Sequence, residues 1–229
     1  TLSIVLPFVL VFISSLTDEN TLIRNGYSFF PEKFSFYAYS YIIRQGEKIL
    51  RAYGITIFVT IVGTAANLAM SSLLAYPLSV KGLPYRRAIT FFVFFTMLFN
   101  GGLVPTYMVI KDMGLINKVW AMILPTAINT YYLIIMKNYF LGLPDGLFEA
   151  AKLDGAGEWT MLWKVAFPLS KPIMATFTLF YAVDRWNEWY NALLYINKKA
   201  LSPLQIYLRD ILTSLNSQLS TQAQQMMGS

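Results

Sequence analysis

The chain has neither cysteine nor histidine among its 229 residues, and these two absences exclude several kinds of site. Without cysteine there is no disulfide framework, thiolate nucleophile or iron–sulfur cluster, and without histidine the imidazole zinc sites and Ser-His-Asp triads are excluded. The sequence also lacks the Gly-x-x-x-x-Gly-Lys-Ser/Thr loop that cradles nucleotide phosphates. We therefore expect no catalytic residue, no metal ligand and no cofactor on this chain.

Charged side chains are scarce as well. They make up 13% of the residues, whereas hydrophobic side chains make up 56%. Soluble globular domains carry about 25% charged residues, so this chain has too few to cover a water-facing surface. The composition predicts an all-α, polytopic membrane protein in contact with lipid. The net charge of +6 does not indicate a nucleic-acid partner, because the lysines and arginines are spread between apolar blocks.

Long apolar runs define the organisation of this single transmembrane domain, residues 1–229. A helix needs about 20 apolar residues to cross the hydrocarbon of a bilayer. Five segments are predicted as spans, at about 1–17, 53–80, 88–110, 119–137 and 172–195. A signal-peptide core is the alternative for the first, but no basic segment precedes it and no small-residue cleavage pattern follows it.

The positive-inside rule orients these spans. The short loop Lys81–Arg87 contains three cations, which is typical of the cytoplasmic side. Alternation then places residues 138–171 in the cytoplasm and residues 198–229 outside. In the external segment, Ser202 and Gln205 match a capping box and Pro203 suits a first helical position, so an amphipathic helix is expected there.

Prolines interrupt three of the predicted spans, at Pro77, Pro105 and Pro125, and Asn100-Gly101-Gly102 precedes one of them. Broken helices are tolerated at membrane depth where protein or a water-filled cavity satisfies the freed carbonyls. Ordinary kinks are the alternative, because glycine and proline are common in membrane helices.

The cytoplasmic segment has strong helix punctuation. A helix is predicted to open at Asp145 and to place Leu147, Ala150 and Ala151 on one face. Gly155 supplies a residue able to take the positive φ that ends such a helix.

A second amphipathic helix follows, ended by Pro168. Its predicted apolar face is set by spacings of three, four and seven residues and consists of Trp159, Leu162, Trp163 and Ala166. The resulting helix–turn–helix unit leaves apolar surface that requires a soluble cytoplasmic partner.

These residues carry a family resemblance. Glu149-Ala150-Ala151, then Gly155, then Val165-Ala166-Phe167-Pro168 resemble the EAA loop of permease subunits in binding-protein-dependent ABC importers. That motif has Glu-Ala-Ala, three residues, Gly, nine residues, an aliphatic residue, one more, Leu and Pro. The spacing fits throughout, Asp154-Gly155-Ala156 matches the usual form, and Phe167 stands where leucine is commoner.

Two further segments are similar to the carbohydrate class of these permeases, of the maltose-permease and polysaccharide-permease type. They are Asn100–Pro105 and Trp186-Asn187-Glu188-Trp189. The family usually has six helices, so the resemblance implies the type I importer permease fold with five helices visible here and the sixth expected beyond the external segment.

The resemblance also implies partners and a docking site. An ATPase dimer would grip the EAA loop and would alone bind ATP and Mg²⁺. Further expected partners are a homologous second permease subunit, as a heterodimer, and an extracytoplasmic solute-binding protein, all at the bacterial cytoplasmic (inner) membrane, where this chain would be a multi-pass protein. The residues implied in ATPase docking are Glu149, Ala150, Ala151, Asp154, Gly155, Ala156 and Pro168.

Cargo contact is expected from aromatic and amide side chains near the outer half of the bundle, because sugars present C–H faces and hydroxyl groups. Interfacial aromatic belts and interhelical amide hydrogen bonds are the alternative explanation for the same residues. Arg185 and Glu188, three residues apart, form either an ion pair or part of a ligand site. The cargo-pathway candidates are Asn129, Tyr131, Tyr132, Trp186, Asn187, Trp189 and Tyr190.

The function expected is therefore the membrane-spanning subunit of an ATP-driven carbohydrate importer, with an oligosaccharide as cargo. An acidic, alginate-derived oligosaccharide is a further option, given the positive net charge. An ion-coupled secondary transporter is the alternative, disfavoured because the second, third and fourth predicted spans lack ionisable residues at midplane depth. An intramembrane protease is disfavoured for want of paired carboxylates in a span.

Overall fold

The computed structural model describes residues 2–18, 21–22, 26–44 and 46–227. Thr1, in the predicted first span, and residues 228–229 of the external segment lie outside the described residues. The chain divides into two compact units, Thr1–Arg51 and Ala52–Ser229. In the first unit, helices Leu2–Ser15 and Tyr37–Arg44 flank an antiparallel β-bridge between Thr17 and Phe34.

Every regular element among the described residues of the second unit is helical, and this unit contains all the predicted site residues. The long helix, Gly46–Ser79, enters it and is followed by many shorter elements. These are α-helices Arg86–Leu98, Leu103–Asp112, Trp120–Ile123, Thr130–Leu141, Asp145–Leu153, Glu158–Met161, Phe167–Leu169, Lys171–Trp186, Tyr190–Tyr195 and Leu204–Met227, 3₁₀ turns Leu124–Thr126 and Lys199–Leu201, and a π-helical turn Leu162–Ala166.

The long helix has 34 residues and is the one described helix that is long and apolar enough by itself to cross a membrane. Its buried side carries small and polar residues, among them Gly63, Asn67 and Ser71. Such residues let neighbouring backbones approach closely and bond across helices in lipid. Pro77 does not interrupt it, because the helix continues to Ser79.

The predicted span 88–110 is a bent pair, Arg86–Leu98 and Leu103–Asp112, whose axes differ by 115°. The break lies before Pro105, at Gly102, where φ is +87°. Asn100 Oδ1 accepts the Gly102 N–H at 2.9 Å and stabilises the turn. By length and composition the two helices together would count as a second candidate crossing.

The predicted spans 119–137 and 172–195 are also interrupted. Pro125 lies in a 3₁₀ turn, and the chain becomes helical again only at Thr130. In the last span, the helix ends at Trp186 and resumes at Tyr190. The interruptions at Gly102 and Pro125 are therefore breaks in the helix, and ordinary kinks do not describe them.

Of the three apolar cores in the described part of the second unit, the two larger ones include residues of the long helix. The larger core joins the end of the long helix to helix Thr130–Leu141, to residues between 148 and 167, and to helix Lys171–Trp186. Its largest fully buried members include Tyr181, Phe177 and Leu133. The smaller core packs Met122 and Ile123 against residues of the long helix and of the external segment.

Candidate functional site

The helix Asp145–Leu153, here called the motif helix, has its charges placed to favour helix formation. Asp145 lies in the first turn and Lys152 in the last, where each complements the helix dipole. Phe148 and Ala151 are half-buried and pack against the larger core. Glu149 and Ala150 are exposed, and Glu149 lines a cavity that Tyr76 and Lys81, at the end of the long helix, also line.

The motif helix ends in a Schellman turn. The Gly155 N–H bonds to the Lys152 carbonyl at 3.0 Å, and the Ala156 N–H bonds to the Ala151 carbonyl at 2.9 Å. Gly155 has φ +79°, which confirms the sequence prediction of a positive φ at this position. The turn satisfies the last carbonyls of the helix and returns the chain to the core, where Ala156 packs.

The second arm differs from its prediction. The chain is α-helical at Glu158–Met161 and π-helical at Leu162–Ala166, so the predicted apolar stripe is divided. Leu162 and Ala166 are buried, whereas Trp159 is 67% and Trp163 is 59% exposed. A π-helical turn closes its hydrogen bonds one residue later than an α-helical turn, which displaces the spacings of three and four.

The sequence predicted that Pro168 ends this arm, but an α-helical turn continues through it to Leu169. The Trp163 ring stacks on Phe167 with centroids 4.7 Å apart, just before the proline. Ser170 is fully buried and is followed at once by helix Lys171–Trp186. The arm therefore runs into the next helix with almost no loop.

Together these arms form the EAA hairpin, residues 145–169. Five of the seven predicted docking residues are exposed on it, namely Glu149, Ala150, Asp154, Gly155 and Pro168, whereas Ala151 and Ala156 are half-buried. Among the described residues Glu149 forms no ion pair. Among the described residues, the hairpin thus presents a carboxylate outside any ion pair and, on its second arm, two exposed tryptophans.

Glu158, which the sequence analysis did not single out, ties the EAA hairpin to the long helix. The Tyr76 hydroxyl donates to Glu158 Oε2 at 3.4 Å, and Lys152 Nζ lies 3.9 Å from Glu158 Oε1. Lys81, in the loop after the long helix, pairs with Asp145 at the start of the motif helix. These contacts, here called the strap, hold both ends of the motif helix against the end of the long helix.

The predicted cargo residues fall into two groups. In the first, Asn129 Oδ1 accepts the N–H groups of Tyr131 and Tyr132 at 3.0 and 3.3 Å, so it caps helix Thr130–Leu141. The Tyr132 hydroxyl donates to Asp184 Oδ2 at 3.2 Å, and its ring packs edge-on against Tyr181. Tyr131 is exposed.

The second group surrounds the break after Trp186. Asn187 ends the helix and donates its Nδ2 to the Val183 carbonyl at 2.9 Å. The Trp189 and Tyr190 rings meet edge-to-face at 5.8 Å. The Arg209 guanidinium lies 5.3 Å from the Trp189 ring centroid, at cation–π distance. Trp186, Trp189 and Tyr190 are each partly exposed.

A buried arginine lies between these groups. Arg185 is only 4% exposed. Its Nη1 donates to the Met122 carbonyl at 2.7 Å, and its Nη2 donates to the Thr126 carbonyl at 2.6 Å and to Asn67 Oδ1 at 3.3 Å. These carbonyls flank Pro125, where the helix is broken. The guanidinium therefore satisfies backbone groups that the break frees, as buried non-helical backbone requires.

Glu188 completes this cluster as an ion-pair partner. Its Oε2 lies 3.8 Å from Arg185 Nη1 and also accepts the Asn191 Nδ2 at 3.0 Å. Gly63 on the long helix leaves room for the Arg185 side chain, because a Cβ at position 63 would lie 2.8 Å from Arg185 Cδ. Of the alternatives left open for Arg185 and Glu188, the structure favours the ion pair, since protein groups occupy both guanidinium ends.

The comparisons with known proteins agree with this geometry. Residues 67–223 match the family described as the binding-protein-dependent transport system inner membrane component. The chain is 45% identical to Protein LplC of Bacillus subtilis (strain 168) over 207 residues, which cover 90% of this chain and 70% of that protein.

Two more relatives are similar over most of their length. The chain is 44% identical to the polygalacturonan/rhamnogalacturonan transport system permease protein YtcP of Bacillus subtilis (strain 168), covering 90% of this chain and 72% of YtcP. It also matches a crystal structure of a bacterial ABC transporter involved in the import of the acidic polysaccharide alginate. That match has a TM-score of 0.86 and 33% identity, and it covers 91% of this chain and 74% of the other.

Proposed function

The chain belongs to the family of binding-protein-dependent transport system inner membrane components, and on that premise we propose that it lines the membrane passage of an oligosaccharide importer. As a member of this family it is a non-catalytic transport subunit of an ABC importer, whose other components are an ATPase, a second permease and a substrate-binding protein. The names of the relatives support carbohydrate as the class of cargo.

The observation that carries the coupling proposal is the EAA hairpin itself. It exposes Glu149, which forms no ion pair with the described residues, on one arm and the apolar Trp159 and Trp163 on the other. A partner ATPase that supplies a basic residue and an apolar cleft fits this surface. ATP and Mg²⁺ belong to that ATPase in this proposal, because the sequence of this chain has no phosphate-binding loop.

Movement of the ATPase would reach the bundle by two routes. The strap joins the motif helix to the long helix through Tyr76 and Lys81. The arm through Pro168 runs directly into helix Lys171–Trp186. A hairpin held at both ends acts as a lever, so a displacement at Glu149 would tilt both helices together.

The membrane orientation is also proposed. The EAA hairpin and the loop Lys81–Arg87 lie in the cytoplasm, and residues 198–229 lie outside, in the bacterial cytoplasmic membrane. The ion pair between Lys81 and Asp145 supports this arrangement, because it requires the two segments to be on one side. The partner permease is proposed to be a homologous, different chain.

The proposed cargo is an oligosaccharide that contains uronate residues. Two relatives carry names that refer to polygalacturonan or to the acidic polysaccharide alginate. The exposed rings of Tyr131, Trp186, Trp189 and Tyr190 are suited to packing on sugar C–H faces. Asn129, Tyr132 and Asn187 would contribute through the helix ends and ring cluster that they stabilise.

The experiment is uptake of labelled oligogalacturonide by proteoliposomes that contain the whole importer and its binding protein. Glu149→Lys is expected to reduce ATP-driven uptake at least about a hundred-fold, since a cation would replace the carboxylate of a buried charge pair at the ATPase contact. The chain should still insert and purify with its partner permease. Asp112→Lys, an equal charge change at an exposed position outside the EAA hairpin, is the matched control and should transport normally.

Normal uptake by Glu149→Lys would show that the coupling proposal is wrong. The cargo proposal is tested separately with the unmodified importer. It fails if a neutral malto-oligosaccharide competes as well as unlabelled oligogalacturonide, whatever the result for the Glu149 variant.

A further inference from the structure

A basic cavity of about 830 Å³ lies beside the start of helix Arg86–Leu98. Lys81, Arg86, Arg87 and Lys137 line it, and no carboxylate of the described residues does. Lys137 comes from helix Thr130–Leu141, so two separate parts of the chain bring cations to one concave site. Lys81 pairs with Asp145 of the EAA hairpin, whereas Arg86, Arg87 and Lys137 belong neither to the EAA hairpin nor to the predicted cargo residues.

Two of these four cations have partners within the protein. Lys81 pairs with Asp145, and Arg86 Nε donates to the Leu78 carbonyl at 2.8 Å, which satisfies the end of the long helix. Arg87 and Lys137 take part in no ion pair among the described residues. No described carboxylate lies within ion-pair distance of either, and a bound anion would supply the missing opposite charge.

The adjoining helix start adds to the positive potential. Helix Arg86–Leu98 has no acidic residue in its first turn, and its N-cap residue, Tyr85, makes no side-chain capping bond. Tyr85 itself has φ +55°, in the left-handed region. Cations in the first turn add to the positive end of the helix dipole, so a bound anion would be stabilised at this helix start.

The far wall of the cavity is apolar. Phe91 and Phe94 line it one and two turns along the same helix, and both are exposed. Exposed phenylalanines continue beyond the cavity at Phe92 and Phe95. A ligand that fits this site therefore combines an anionic head with an apolar tail.

We propose that this cavity is a specific site for the phosphate headgroup of an anionic phospholipid, with Arg87 and Lys137 as its ligands. The acyl chains lie along Phe91 and Phe94. Basic pockets between helices at the cytoplasmic face have the chemistry to bind such headgroups. A lipid is favoured over free phosphate because the apolar wall adjoins the cationic one. The proposal rests on the proposed membrane orientation and makes no use of the cargo.

The test uses the complete importer in nanodiscs of phosphatidylglycerol and phosphatidylcholine, from which it is released for native mass spectrometry. The wild type should retain phosphatidylglycerol in saturable fashion. The double variant Arg87→Gln/Lys137→Gln should bind it about twenty-five-fold more weakly, at about five-fold for each cation removed. The charge-preserving pair Arg87→Lys/Lys137→Arg should retain the lipid, which shows that the fold is intact.

A matched control is Lys164→Gln/Lys171→Gln, which removes the same charge from exposed positions that do not line the cavity. It should retain the lipid as the wild type does. Equal retention by both glutamine pairs would overturn the proposal, since general surface charge would then account for binding. Saturable binding of inorganic phosphate without lipid would also overturn it. The proposal would likewise be overturned if Arg87→Gln/Lys137→Gln lost the ATPase but retained the lipid, because the cavity would then contact a protein surface.

Discussion

At the residue scale, Arg185 shows how a membrane protein retains a buried charge. A desolvated cation is costly unless charge and hydrogen-bond partners surround it. Arg185 obtains two carbonyls from a broken helix, the Asn67 amide oxygen and the Glu188 carboxylate. The break at Pro125 and the arginine therefore stabilise each other, because each supplies what the other lacks.

Gly63→Ala tests this arrangement. The new methyl group would lie 2.8 Å from Arg185 Cδ and 3.3 Å from Nε, so the arginine must shift from its carbonyl partners. We expect the free energy of unfolding of the purified complex to fall by about 1–3 kcal/mol, as for other overpacked sites, and its melting temperature to fall with it. Scanning fluorimetry in detergent measures the effect.

Gly54→Ala is the control, since a Cβ there meets nothing within 4 Å on the same long helix. It should leave stability unchanged or raise it by about 0.5–1 kcal/mol, as glycine to alanine does in a helix. In an Arg185→Ala background, Gly63→Ala should lose most of its cost. An equal cost in both backgrounds would mean that the two residues do not interact.

At the element scale, the Schellman turn of the EAA hairpin determines the direction in which the motif helix points. Its geometry requires a left-handed backbone conformation at position 155. A residue with a Cβ adopts that conformation at a cost of about 1–2 kcal/mol. The turn has space for a side chain, because a Cβ on Gly155 meets nothing within 4 Å. Backbone conformation alone therefore selects glycine here.

Gly155→Ala is expected to destabilise the hairpin locally and to reduce copurification of the ATPase several-fold, while the chain still accumulates in the membrane. Pull-down of the detergent-solubilised complex measures this. Gly157→Ala is the matched control, since its φ of −75° suits alanine and its Cβ would also meet nothing. Gly155→Asn should recover part of the binding, because asparagine tolerates the left-handed region. Similar behaviour of the two alanine variants would contradict the explanation.

At the scale of the whole molecule, the strap decides whether movement of the EAA hairpin reaches the bundle. Tyr76 is buried against Phe140 and reaches Glu158 with its hydroxyl. Glu158 in turn faces Lys152 across the Schellman turn. One carboxylate thus connects the long helix with both arms of the hairpin.

Tyr76→Phe removes the hydroxyl and keeps the ring. We expect a stability loss of about 1 kcal/mol, as for a typical hydrogen bond, and fewer cargo molecules imported per ATP hydrolysed. ATPase binding should be unchanged, since the exposed face of the hairpin is intact. Tyr107→Phe, on a ring that stacks with Tyr195 away from the hairpin, serves as the control. An unchanged transport-to-hydrolysis ratio would remove the strap from the coupling route.

Much of this molecule was predictable from composition and local spacing. The prediction of an all-α importer permease is confirmed by the family match and by the TM-score of 0.86. The positive φ at Gly155 was also predictable, because a turn depends on residues that are adjacent in sequence. Helix breaks at Gly102 and near Pro125 were indicated by glycine and proline, although their size was not.

Residue contacts across the fold were not predictable in this way. The external helix begins at Leu204, one residue after the predicted Pro203, and its Leu204 N–H bonds to Thr56 Oγ1 on the long helix. The pairing of Gly63 with Arg185 joins residues far apart in sequence, which no periodicity records. Hydropathy and turn chemistry act within a few residues, so the sequence alone determines them. Tertiary packing decided which backbone carbonyls are freed and which cation bonds to them. It also decided how the predicted apolar face that begins at Trp159 divides into buried and exposed residues.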